Sequence, residues 1–168
     1  MFKPGGEMLP VTDRLIGEVL ANVRTEDKRE FEAIQQWPVE RELRHAIEQS
    51  EHARVFACDG VAVAIFGCIR YDDRIGVPWL ISTHQVPSCR RAFLKHCLLE
   101  VAQMRKRYAA LINYTDARYT LALRWMVWMG FDQQEAVPYG ACGELFHPFT
   151  MKGDLWAQQQ ALPQVAAS

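Results

Sequence analysis

The side chain best suited to acid–base work in this sequence is His84, since an imidazole titrates near neutral pH. It lies late in the apolar stretch Val77 to Val86 (VPWLISTHQV). Arg24, Asp27 and Glu30 form R-x-x-D-x-x-E, and the plainest use of the two acids is to offset a helix dipole from its first turns. Cys89 falls where a helix begins, a position that favours thiolate, but no base is spaced to partner it. The histidines at 45, 52, 84, 96 and 147 show no H-E-x-x-H or similar spacing, so no metal is expected. Asp72 and Asp73 read as a turn pair, and Arg105-Lys106-Arg107 as a helix end complementing its own dipole.

These residues must be positioned by a framework centred on Val86 to Phe131. Phe93, Cys97, Val101, Met104 and Tyr108 recur at steps of three and four, which predicts an amphipathic helix with Arg90, Lys95, Arg105 and Arg107 in water. AALINYTD then reads as a short strand. A second helix follows with Leu121, Ala122, Trp125 and Met129 inward, stopped by Gly130. Upstream, Thr12-Asp13, Thr25 and Pro38 open three helices carrying Leu15, Ile16, Val19 and Leu20, then Phe31 and Ile34, then Leu43 and Ile47. Asp59-Gly60 between apolar runs predicts a hairpin, whose second arm, Val61 to Ile69, is apolar throughout and therefore central in its sheet. Val77 to Val86 gives another strand. Phe131 to Val137 and Glu144 to Thr150 give a closing hairpin, with Leu145, His147 and Phe149 alternating against Glu144 and Phe146. The expected fold is α+β: a mixed sheet of about six to seven strands with helices on both faces.

The 168 residues suit one domain over 11–156, with a lead at 1–10 that is loose or at best an added edge strand, and a disordered, low-complexity tail at 157–168. A net charge of −1 argues against a nucleic-acid partner held by bulk electrostatics. No run is long and apolar enough for a membrane helix, nor does the start resemble a signal peptide, so a soluble, intracellular protein is expected. Five cysteines without a C-x-x-C pair read as reduced thiols.

The order of elements resembles the GNAT N-acetyltransferase fold. Where that family writes V-P-x-x-R-G-x-G-x-G, this chain has Val86-Pro87-Ser88-Cys89-Arg90-Arg91-Ala92-Phe93-Leu94-Lys95, so Arg91, Phe93 and Lys95 occupy the glycine positions. The family's glycines let helix-start amides approach the pyrophosphate of acetyl-CoA. Phe93 adds bulk there, and Arg91 and Lys95 add charge. Ala122 to Phe131 is similar to A-x-R-L-Y-x-K-L-G-F, with Met126 where many members carry the tyrosine that protonates the departing thiolate, and Tyr119 where an asparagine is frequent. A thioether has no proton to give. R-x-x-D-x-x-E, Phe66-Gly67, P-W-x-x-x-T-x-Q-V, L-x-N-Y, R-W-x-x-x-x-G-F and G-x-L-F-x-x-F, in order over about 24–150, further resemble the internal virion protein A group of short-tailed bacteriophages.

The resemblance implies an acetyl-CoA site in a cleft between two splayed strands. The ligand would lie along Leu80 to Val86 and Arg90 to Leu94, contacted by Ser82, Thr83, Gln85, Val86, Arg90, Arg91, Phe93, Asn113 and Tyr114, with His84 as base. Asp27 and Glu30 would shape an acceptor pocket. The implied function is a phage protein with a degenerate acetyl-CoA site, acting through contacts with phage or host proteins in the host cytoplasm or the virion. The alternative is an active acyl-CoA-dependent N-acyltransferase acting on a host or phage target. Trp128, flanking the inward stripe of its helix, is the candidate anchor for a partner.

Overall fold

The structure is a computed structural model that describes residues 5–159. Eight strands, β1 (Glu7–Pro10), β2 (Ser50–Cys58), β3 (Val61–Arg70), β4 (Ile75–Ser82), β5 (Ala110–Asp116), β6 (Asp132–Gln133), β7 (Val137–Tyr139) and β8 (Glu144–Lys152), form one mixed sheet. Its order is β1-β2-β3-β4-β5-β8-β6, with β7 also paired to β8. Every pairing is antiparallel except β4 with β5. Helices α1 (Asp13–Ala21), α2 (Thr25–Gln35) and α3 (Val39–Gln49) pack Leu15, Ile16, Val19, Phe31 and Leu43 against Val55, Ile65 and Ile81. Helix α4 (Arg90–Arg105) and α5 (Thr120–Trp128) supply Phe93, Cys97 and Trp125 to a second cluster with Phe56 and Phe66.

Local chemistry explains most of these elements. Thr12 caps α1 by accepting the Leu15 N–H at 3.2 Å. Asp59 and Gly60, at φ 51° and 78°, make the tight turn between β2 and β3, and β3 is buried from Ala62 to Cys68. At Gly67 the chain passes directly under Trp79, whose indole would overlap any added Cβ. That indole is fixed by a 2.7 Å hydrogen bond from Nε1 to Ser50 Oγ. Gly67→Ala should therefore cost about 1–3 kcal/mol, read as a lower urea midpoint at unchanged slope; an unchanged midpoint would mean that Trp79 moves freely.

The structure differs from the sequence reading in several places. The lead is not loose throughout but takes the alternative form, an added edge strand, β1, on β2; the residues before Gly5 and those after Gln159, including most of the expected tail, lie outside the described region. Thr25 begins α2 but is not its cap; Arg24 takes that position with no side-chain cap bond. The strand expected to run to Val86 ends at Ser82, because the chain turns into a 3₁₀ segment, Val86–Cys89, before α4. The arm expected from Phe131 to Val137 is split into β6 and β7: Gln134 still follows the β6 register, its N–H donating to Pro148 O and its carbonyl meeting His147 Nδ1, and the register against β8 shifts by one residue before Val137. In β8 Leu145 is exposed although Phe149 of the same set is fully buried, and Phe146 of the opposite set is fully buried too, packed against Tyr139 of β7.

Candidate functional site

The site is made by one incomplete strand pairing. β4 and β5 pair only at Ile75–Ala110 and Gly76–Leu111, then diverge. Asn113 spans the opening gap, donating from Nδ2 to Pro78 O at 2.9 Å. Thr115 donates in turn to Asn113 Oδ1 at 2.6 Å. Antiparallel bonds alternate along a strand, and Thr83 N–H bonds back to Val63 O on β3, so the amide groups of Pro78, Leu80 and Ser82 face the split. Pro78 has no N–H, and Ser82 O is taken by the Arg24 N–H at 3.1 Å. Of the three, Leu80 is left to offer its edge to a ligand.

A cavity of about 80 Å³ fills the split and passes through the sheet. On one side it is walled by Cys97, Met104, Trp125 and Met126 from α4 and α5; on the other it reaches Asp27 and Glu30 of α2. Its lining is mostly apolar apart from those carboxylates, Glu100, Asn113, Thr115 and Tyr119.

Asp27 is 3% exposed. Its Oδ2 accepts the Ser82 hydroxyl at 2.7 Å and the Tyr119 hydroxyl at 3.0 Å. Burial pushes its pKa up to about 7, against the opposing pull of those two bonds, the Ser82 N–H and the nearby Arg24 charge. Glu30, one turn on and half-buried, accepts the Asp116 N–H on Oε2 at 3.0 Å. Enclosure and repulsion from Asp27 and Asp116 carry it to about 8, although the Asp116 amide and Arg29 act the other way. Asp116 is also fully buried, yet its two-toothed pair with Arg118, at 3.0 and 2.7 Å, outweighs burial and holds it below its ordinary value. Burial raises the Tyr119 phenol, with the Asp27 charge adding to it. Two carboxyl groups that change charge around neutral pH thus share one apolar cavity, which is the property of proton-transfer sites.

Among the residues singled out from sequence, Asp27, Glu30 and Asn113 line this cavity, and Ser82 joins it through Asp27. The others lie apart. His84 is exposed on the turn after β4, its N–H donating to Asn22 O. Thr83 is fully buried, its hydroxyl bonded to Val63 O, and Gln85 continues the turn with its N–H on Thr83 Oγ1. Val86 is core, and Tyr114 points to the other face, stacked on Tyr139 at 4.1 Å. Arg90 and Arg91 are exposed at the start of α4. Phe93 is turned inward, fully buried between Phe56, Phe66 and Trp125 at ring distances of 6.0, 6.0 and 5.4 Å, so its bulk does not stand over the helix start. Cys89 is pushed up to about 11 by burial and by Cys58, the opposite of an activated thiol. Sequence reasoning did not assign Tyr119, Thr115 or Asp116 to the site; the available signals were the place of Tyr119 in the second motif and the alternation that sets Asn113 and Thr115 on the same face of β5.

No family model matches the chain, and no curated protein matches it. Solved structures do. The chain is similar to a GNAT-family acetyltransferase from Bacillus anthracis, with TM-score 0.63 and 12% identity over 90% of this chain and 98% of that one. It is similar to an N-acetyltransferase from Staphylococcus aureus Mu50, with TM-score 0.62 and 12% identity over 88% and 97%. A GNAT-superfamily phosphinothricin acetyltransferase from Sinorhizobium meliloti, solved in complex with AcCoA, gives 0.62 and 9% over 98% and 96%. At these identities what is shared is the architecture: the protein has the GNAT acetyltransferase fold.

Proposed function

We infer that the protein is an acyl-CoA-dependent N-acyltransferase in which Glu30, not His84, accepts the proton of the attacking amine. The observation that carries this reading is the cavity through the sheet at the β4–β5 split with Asp27 and Glu30 on its α2 side. Burying carboxyl groups is costly, and a fold used only as a docking scaffold gains nothing from it. Asp27 is committed to Ser82 and Tyr119, whereas Glu30 binds the Asp116 amide through Oε2 and keeps Oε1 for an incoming proton. Acetyl-CoA would supply the activated acyl group; the Leu80 edge, the first-turn amides of α4, Arg90 and Arg91 are the groups available to hold it. In the overall exchange one N–C bond replaces one C–S bond, and a proton passes from nitrogen to sulfur. Glu30 can both take and return that proton, so the missing tyrosine at 126 is no obstacle.

The cavity is small beside the ~300–1,000 Å³ of ordinary ligand sites. Entry of a thioester arm therefore requires Met104, Met126 and Met129 to repack, which unbranched thioethers do at low cost. Acetyl-CoA at a hundredfold excess over its Kd should add about 2.7 kcal/mol of stability, read as a rise in Tm. Met126→Ala should enlarge the rise at a fixed concentration. No rise at millimolar acetyl-CoA in either protein would end this reading. It would leave the second one, a non-catalytic protein that works by contacts in an assembling phage particle or on a host protein. Its specific support is the pair Val127 and Trp128 on α5, 52% and 53% exposed.

A further inference from the structure

Two hydrogen-bond donors beside the acid pair have no acceptor. Arg24 Nη1 and Trp125 Nε1 are both buried, and neither finds a hydrogen-bond partner among the described residues. They come from different elements, the start of α2 and the middle of α5, and the Arg24 guanidinium stands over the Trp125 ring with Cζ 5.8 Å from its centre. Trp125 is 9% exposed and lines the cavity. Asp27 lies three residues from Arg24 and feels its charge, but the two do not come within ion-pair distance. Arg24 accordingly forms no ion pair among the described residues. Buried donors are normally satisfied. An anion whose oxygens reach both Arg24 Nη1 and Trp125 Nε1 would satisfy both at once.

We propose that Arg24 and Trp125 form a carboxylate subsite and that the acyl acceptor is an amino acid, held by its carboxylate there while its amine faces Glu30. This rests on the acyltransferase reading for the chemistry, but the subsite can be read alone. A guanidinium offers paired donors matched to a carboxylate, and the indole N–H adds a third. An amine without a carboxylate would leave the same two donors unmet.

The test is calorimetric titration of the full chain, without CoA, with each of the common α-amino acids and with the corresponding α-amides. Thiol release from acetyl-CoA is measured in parallel. At least one amino acid should bind about 10- to 100-fold more tightly than its amide, the worth of one charge-assisted contact. Arg24→Gln should erase that ratio, and Trp125→Phe, which keeps the ring packing and removes only the N–H, should reduce it. Arg24→Lys should restore part of it. Amides that bind as well as acids, no binding of any acid, or a ratio untouched in both Arg24→Gln and Trp125→Phe would overturn the subsite. Acid-selective binding with no thiol release would uphold the subsite and overturn the acyltransferase reading instead.

Discussion

Glu30→Gln should lower the rate of acyl transfer by about 10²- to 10⁴-fold, the usual worth of a positioned general base. The amide keeps the size of the side chain and still accepts the Asp116 N–H, so the loss reports proton transfer and not a collapsed site. The wild-type rate, followed as thiol release, should climb with pH through about 8 as Glu30 ionises. Stability should move the other way. A carboxyl group whose folded pKa lies above its ordinary 4.5 binds its proton more tightly in the folded state. Its stabilising contribution is complete below about 4.5 and is lost as pH rises towards about 8, when the enclosed group must ionise. Glu30→Gln removes that burden. At pH 9 the variant should be more stable than the parent by about 1–3 kcal/mol, after discounting for the partial exposure of the group. At pH 4 the two should melt together. A variant that retains full activity would show that Glu30 is not the base, and one that melts below the parent at pH 9 would show that its ionisation costs the fold nothing.

The second large effect concerns Phe93. Its position in the motif suggested a ring standing in the way of a phosphate, which a glycine would clear. The structure puts the ring among Phe56, Phe66 and Trp125, with none of it exposed. Phe93→Gly should therefore remove core packing worth about 3–5 kcal/mol, with roughly 1 kcal/mol more for glycine within a helix. That is a large share of the stability of a domain this size. Urea denaturation should show a midpoint near zero or a chain already unfolded in buffer. A stable Phe93→Gly protein that binds acetyl-CoA more tightly would mean the ring does guard a ligand site.

The two cases differ in how well they could be read beforehand. Phe93 shares its stripe with Cys97 at a four-residue step, and that periodicity alone called for a buried face; the buried ring follows from it. The motif comparison pointed elsewhere because it aligned positions without regard to which way each one faces. At Asp27 and Glu30 the opposite happened. Their spacing looked like a first-turn dipole pair, and the same two residues do lie in the first half of α2. Nothing local indicated that this turn would be pressed against a gap in the sheet. His84 drew attention through its intrinsic pKa, yet the strand ends two residues earlier and the turn carries it outward.

What the sequence determined by itself is the framework: two amphipathic helices by their three- and four-residue steps, the Asp59-Gly60 turn by its need for positive φ, and the central β3 by an unbroken apolar run. Each is a short-range matter, settled within a few residues by steric or hydrophobic preference. The candidate chemistry was decided only in three dimensions. Asp27 meets Ser82 across 55 residues and Tyr119 across 92, and Glu30 meets Asp116 across 86. Their pKa values are set chiefly by loss of water. Exclusion of water belongs to the packed layers on either side of the β4–β5 split, and no stretch of sequence carries it alone.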